Sequence, residues 1–186
     1  YRSTIPFLEN KKGFQIPEWA RDVLEVLDAS SGDESAAIAY LRASPKMHKL
    51  FPITGFREWK KVGLLIAAKS DRHASEFFDL WPETMDTLYP SDVKRVLDVV
   101  ALLRKHSLDQ AIDFYREAPQ LLSSLNPNVR ESAMQAVIHI SKKDPELITR
   151  SFRIIAAALG GLSNPAQELV MRHEPAVRAI SLEAVL

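Results

Sequence analysis

The sequence predicts an all-α fold, a right-handed α-α superhelix of about four helical hairpins, from three observations. Proline recurs at a fixed interval, apolar residues follow a helical period, and no stretch alternates apolar with polar as a strand would. Pro45, Pro82 and Pro119 stand 37 residues apart each time, and residues at equal offsets from them match in kind. Eight before each proline is an alanine: Ala37, Ala74 and Ala111. Five before come Tyr40, Phe77 and Phe114; four before come Leu41, Phe78 and Tyr115. After each proline an apolar pair follows at helical spacing, Met47 with Leu50, Met85 with Leu88, and Leu122 with Leu125.

Residues 1–16 are expected to be an N-terminal extension, and 17–186 one domain of units near 17–52, 53–90, 91–127, 128–165 and a partial 166–186. The first unit holds a cap pair, Ser31 with Glu34, at capping-box spacing before its second helix. In the second, Val62, Leu65 and Ile66 share one helix stripe, and in the third Val96, Val99, Val100 and Leu103 do. Ser107 with Gln110 and Asn128 with Glu131 repeat the capping spacing. Val129, Ala133, Ala136, Val137 and Ile140 form the stripe of the fourth. That copy is degenerate: Ile148 and Phe152 are in register, and Ala156 replaces the proline. Gly160-Gly161 reads as a helix end and Asn164-Pro165 as a cap with proline at the first helical position. A short extra helix is expected around 166–172. Pro52, Pro90 and Pro127 are expected to close the first three segments. The shared proline falls inside the longer helix of each pair, where it removes a donor and should kink or break the helix. One hairpin cannot bury its apolar face alone, whereas stacked hairpins bury a continuous core.

The stretch Pro119-Gln-Leu121-Leu122-Ser-Ser-Leu125-Asn-Pro127-Asn-Val129-Arg130-Glu-Ser-Ala133-Met-Gln-Ala136-Val137 resembles the HEAT family. Pro90-Ser-Asp-Val93-Lys94 and Pro175-Ala-Val177-Arg178 match the second half of the same pattern. The resemblance covers residues 31–186 and extends to armadillo-like repeats. It implies a solenoid of outer and inner helices, with an arginine early in each inner helix able to bond the neighbouring repeat. The inner helices at Pro17-Glu-Trp19 and Phe56-Arg-Glu-Trp59 begin less typically. The Ala-x-x-aromatic-aromatic-x-x-x-Pro spacing is also similar to helical regions of bacterial proteins that carry a von Willebrand A domain.

The absence of cysteine excludes thiolate nucleophiles, disulfides and Cys-ligated zinc, and fits a reducing, cytoplasmic setting. Twenty-four basic and 24 acidic residues cancel, so no bulk charge draws the chain to nucleic acid or membrane. The longest apolar stretches, such as Ile154 to Leu159, are too short to span a bilayer. No secretory signal is expected where Pro6, Glu9, Asn10, Lys11 and Lys12 interrupt the opening residues. The start at Tyr1 and the apolar ending Ala179 to Leu186 suggest a fragment of a longer protein.

Five histidines, His48, His73, His106, His139 and His173, lack metal-ligand spacing and are read as structural. Neither a phosphate loop nor a nucleophile elbow occurs, so catalytic, cofactor-binding and metal-binding residues are assigned as none. Charge placement is more informative. The inner helices carry Arg57, Lys60, Lys61, then Lys94, Arg95, then Arg130, while Glu76, Asp79, Asp109, Asp113 and Glu117 lie on outer ones. Cations in a helix's first turn oppose the macrodipole by a few tenths of a kcal/mol each. Either an inter-repeat ladder or a basic lining for an acidic partner would account for them. Of the tryptophans, Trp19 and Trp59 are read as staples between repeats, and Trp81 as the one most exposed. The candidate partner-binding residues are therefore Lys60, Lys61, Lys94, Arg95, Arg130 and Trp81. The expected function is a non-catalytic scaffold for a protein or acidic peptide. The alternative is a nucleic-acid-binding helical repeat, including a DNA glycosylase type, which balanced charge disfavours.

Overall fold

The computed structural model describes residues 15–50, 53–81, 84–86, 88–123 and 127–143. Among them lie seven helices and no strand, so the fold is all-α. The chain divides into two compact units, Tyr1–Asp86 and Thr87–Leu186. The first contains α1 (Gln15–Ala29), α2 (Glu34–Leu50), α3 (Ile53–Ala67) and α4 (Asp71–Asp79). The second contains α5 (Pro90–Leu103), α6 (Leu108–Ser123) and α7 (Pro127–Lys143).

Helix ends follow local side-chain chemistry. Ser107 Oγ accepts the Gln110 N–H at 3.3 Å, as the capping spacing predicts, and Ser70 Oγ caps α4 by accepting from His73. At α2 the expectation needs correction. Ser31 and Gly32 take left-handed φ values of 55° and 88° and close α1, with the Gly32 N–H on the Leu27 carbonyl at 2.9 Å. Asp33 is therefore the cap, its Oδ1 accepting from Ser35 N–H at 2.8 Å, and hydrogen bonding by the Ser35 side chain, then by its backbone, holds the Asp33 carboxyl below the usual range. Pro90 and Pro127 open α5 and α7 instead of closing the preceding segments, because proline's missing donor costs nothing in a first turn. Asn128 then sits inside α7 and cannot cap it.

Pro45 and Pro119 do lie within helices, but α2 and α6 continue past them to Leu50 and Ser123. Neither proline breaks its helix, and Pro45 is buried within α2. Pro82, Pro52, Ile148 to Ala156, Gly160-Gly161, Asn164-Pro165, the helix expected at 166–172, His173 and Arg178 lie outside the described residues.

In the first unit α1 packs on α3 and α2 on α4, with α2 also packing on α1 and α3. Trp19 Nε1 donates to Ser44 Oγ at 2.9 Å and Tyr40 Oη to Asp22 Oδ2 at 3.2 Å. Residue numbers rise along α1 as they fall along α2, so these two helices are antiparallel. Contacts of Phe56 with His48 and Trp59 with Tyr40 make α2 and α3 antiparallel too, leaving α1 and α3 parallel. The core between layers is aromatic. Trp59 is fully buried, stacked on Tyr40 (5.5 Å between ring centroids) and edge-on to Phe78 (5.0 Å). Burial of each such ring contributes about 1.5–3 kcal/mol. Gly63 makes room for one of them: a Cβ there would lie 2.1 Å from Phe78 Cζ.

In the second unit α5 packs on both α6 and α7. Its core is aliphatic on α5 (Val93, Val96, Leu97, Val100, Leu103) and aromatic on α6 (Phe114, Tyr115). Residues at equal offsets from the spaced prolines share burial. Ala37, Ala74 and Ala111 are buried, as are Tyr40, Phe77 and Phe114; Met47, two after its proline, and Met85 and Leu122, three after theirs, are buried too. No helix among the described residues is long and apolar enough to cross a membrane.

Candidate functional site

Each unit ties neighbouring parallel helices together with charge. In the first, α1 presents Asp22 and Glu25, and Lys60 of α3 reaches both, at 2.6 and 2.9 Å. Asp22 also accepts the Tyr40 hydroxyl from α2, so one carboxylate joins three helices. Burial pulls the Lys60 ammonium down, but its hydrogen bonds to the two carboxylates outweigh that and hold it above the usual lysine value. Burial pushes the Tyr40 phenol up, and the negative charge of Asp22 pushes it further.

In the second unit Asp92 occupies the first turn of α5 and is only 3% exposed. It accepts from Arg130 Nε of α7 at 3.0 Å and from Arg95 Nη1 one turn along α5 at 3.3 Å. Arg95 extends to Glu131 of α7 as well. The Arg130 guanidinium lies 4.3 Å from the centre of the Tyr89 ring, a cation–π contact at the N-cap of α5. The Asp22–Lys60 and Asp92–Arg130 pairs both span 38 residues. Level residues on parallel neighbours are thus separated by about the proline interval.

These contacts sort the residues that the sequence singles out. Lys60, Arg95 and Arg130 belong to the interhelical pairs. Lys61 is open, its side chain 68% exposed with only Glu58 at 3.9 Å on its own helix. Lys94 is exposed, as is Arg57. Trp81 corrects the expectation: it is 2% exposed. α4 stops at Asp79, and the following turn carries the indole to 6.2 Å from Trp59, where its large apolar surface leaves water. Trp19 is the most exposed of the three, half-buried on Ser44.

Sequence reasoning missed the carboxylates Asp22, Glu25 and Asp92 as partners of the inner cations. The opposite charges 38 residues apart were the available signal. It also missed Tyr89, 59% exposed before Pro90, and Leu24, 63% exposed on α1. α1 is moreover acidic, with Glu18, Asp22, Glu25 and Asp28 against Arg21, unlike the basic α3 beside it.

Two of the described histidines have local roles: His73 is buried with Nδ1 2.8 Å from Ser70 Oγ, and His48 stacks on Phe56. A shallow open cleft near the start of α2 and along α4 is lined by Asp33, Ser35, Ser75, Glu76 and Asp79 with Arg72. Among the described residues no group of three or more His, Asp or Glu is placed to hold a metal ion. Comparison with known proteins gives no match to a protein-family model, a curated protein or a solved structure.

Proposed function

We propose that the chain is a non-catalytic scaffold, a solenoid of HEAT-like hairpins whose inner helices, α1 and α3 in the first unit and α5 and α7 in the second, hold a protein partner. One observation carries this reading: a cation of one inner helix bonds a carboxylate of its parallel neighbour 38 residues earlier, in both units. Such lateral ion pairs are what a ladder between stacked repeats requires, and the shared burial at equal offsets supports the same repeat. A layer built this way keeps a fixed surface while its outward side chains vary. Exposed cations of these helices, Arg57, Lys61 and Lys94 among them, are available to a partner carrying carboxylates. Lys60, Arg95 and Arg130 are already matched by carboxylates and so are not available to phosphates, which counts against a nucleic-acid groove.

The test is recovery of partners from cell extract by tagged protein, with Lys61→Glu and Lys94→Glu combined. A bound protein should be lost in the variant while helix content by circular dichroism is unchanged. Retention of every partner removes the inner layer from the proposal.

A further inference from the structure

We infer that the inner face of the first unit docks on a second copy of itself, α1 of each copy lying along α3 of the other. This rests on the inner-layer reading above and names one occupant for that face.

Helices α1 and α3 are parallel, have 15 residues each, and are level at an offset of 38. Their sides away from α2 and α4 are open. α1 presents Glu18, Arg21 and Leu24, all exposed, and α3 presents Arg57 and Lys61, exposed, with Glu58 between. Consider a two-fold axis running parallel to the helices, midway between them. It exchanges α1 for α3 and leaves every level unchanged. Subtracting 38 places Arg57 at level 19, Glu58 at 20 and Lys61 at 23.

Across that axis Glu18 therefore meets the other copy's Arg57, Arg21 meets its Glu58, and the exposed Leu24 meets the stem of its Lys61. Each match falls within one residue, about 1.5 Å of rise along a helix. Each occurs twice by symmetry, as a closed two-fold interface requires. A two-fold axis across the helices would instead lay α1 on α1, acid against acid. The face is thus complementary to itself in one orientation only. Among the described residues Glu18, Arg21 and Arg57 are exposed, and the one pair that docking must share is the long Lys61–Glu58 contact at 3.9 Å. Arginine and leucine here bring apolar area along with charge.

Sedimentation velocity on the full chain tests this, over about a hundredfold range of concentration at low and high salt. The mass should rise from 20.9 kDa toward twice that value, less so in salt. Two variants then probe the register: Glu18→Lys with Leu24→Lys, and Arg57→Glu with Lys61→Glu. The first opposes like charges at two of the three contacts, the second sets Glu18 against a carboxylate at 57 and a charge at 61 against Leu24, and each alone should remain monomeric. Mixed in equal amounts they should form a heterodimer, since cations at 18 and 24 then face carboxylates at 57 and 61. A monomeric wild type, a dimer indifferent to either variant, or a mixture that stays monomeric overturns the inference. A monomeric wild type that still loses its pull-down partner on reversal of Lys61 and Lys94 leaves the scaffold reading intact.

Discussion

The two units solve one problem with different chemistry. Both must hold parallel helices side by side, and both use a charge pair spanning 38 residues. The first surrounds one lysine with two carboxylates and lets a tyrosine hydroxyl complete Asp22. The second surrounds one buried carboxylate with two arginines. Lysine is a compact charge on a flexible stem and can sit partly in water, whereas the guanidinium fork donates in fixed directions and tolerates burial. The lysine cluster is accordingly the more solvated, with Lys60 18% exposed against 9% for Arg130. How much each fold depends on its cluster should follow the same order.

The sharpest way to break this contrast is Asp92→Ala. It takes the buried carboxylate away from both Arg130 and Arg95 and should cost about 3–5 kcal/mol, read from urea unfolding. A loss below about 1 kcal/mol would mean that Arg130 relaxes to water and the second cluster is no more essential than the first.

Next in size is Gly63→Ala, which strikes the first unit where it has no charge at all. Alanine is the better helix former by about 1 kcal/mol, yet its methyl would overlap the Phe78 ring, so a net loss of about 1–3 kcal/mol is expected. Phe78→Leu in the same chain should recover much of it. A gain in stability from Gly63→Ala alone would refute the close packing.

Lys60→Met should cost less than Asp92→Ala, about 1–2 kcal/mol, because Asp22 and Glu25 can rehydrate once the ammonium is gone. All three tryptophans lie before residue 87, so indole fluorescence reports the first unit selectively. The pH dependence sharpens the comparison further. Lys60 is raised above its ordinary value of 10.5, so its contribution is complete below that pH and disappears as pH climbs through the folded value. Tyr40, raised from 10.0, acts in the same direction. Arginine does not titrate there, so fluorescence-detected unfolding should weaken above about pH 10, and Lys60→Met with Tyr40→Phe should flatten that slope. An unchanged slope in the double variant would assign the alkaline loss to other groups.

Lys61→Glu is expected to be the mildest, within about 0.5 kcal/mol, since its side chain stands in water. A larger effect would show that it is structural, like its neighbour Lys60.

Much of the fold is legible from spacing. Ala74, Phe77 and Phe78 are buried together, as an i, i+3, i+4 pattern requires, and Ser107 caps α6 where its distance from Gln110 says it should. The candidate site is less legible. Lys60 and Lys61 are adjacent in sequence and identical in chemistry, yet one is tied to α1 and the other is in solvent. The 100° between consecutive helical residues separates them, and only the position of α1 decides which one finds carboxylates. Trp81 is the same lesson inverted, since composition cannot tell that α4 stops short and turns the indole inward.

What the sequence alone determined is helical content, the positions facing the core, and the interval at which they recur, because periodicity is a property of consecutive residues. The tertiary structure decided which charges are spent between helices, which aromatic rings are covered, and which helix face remains open. Those depend on partners 18 to 38 residues away, whose approach is set by packing and not by neighbours in the chain.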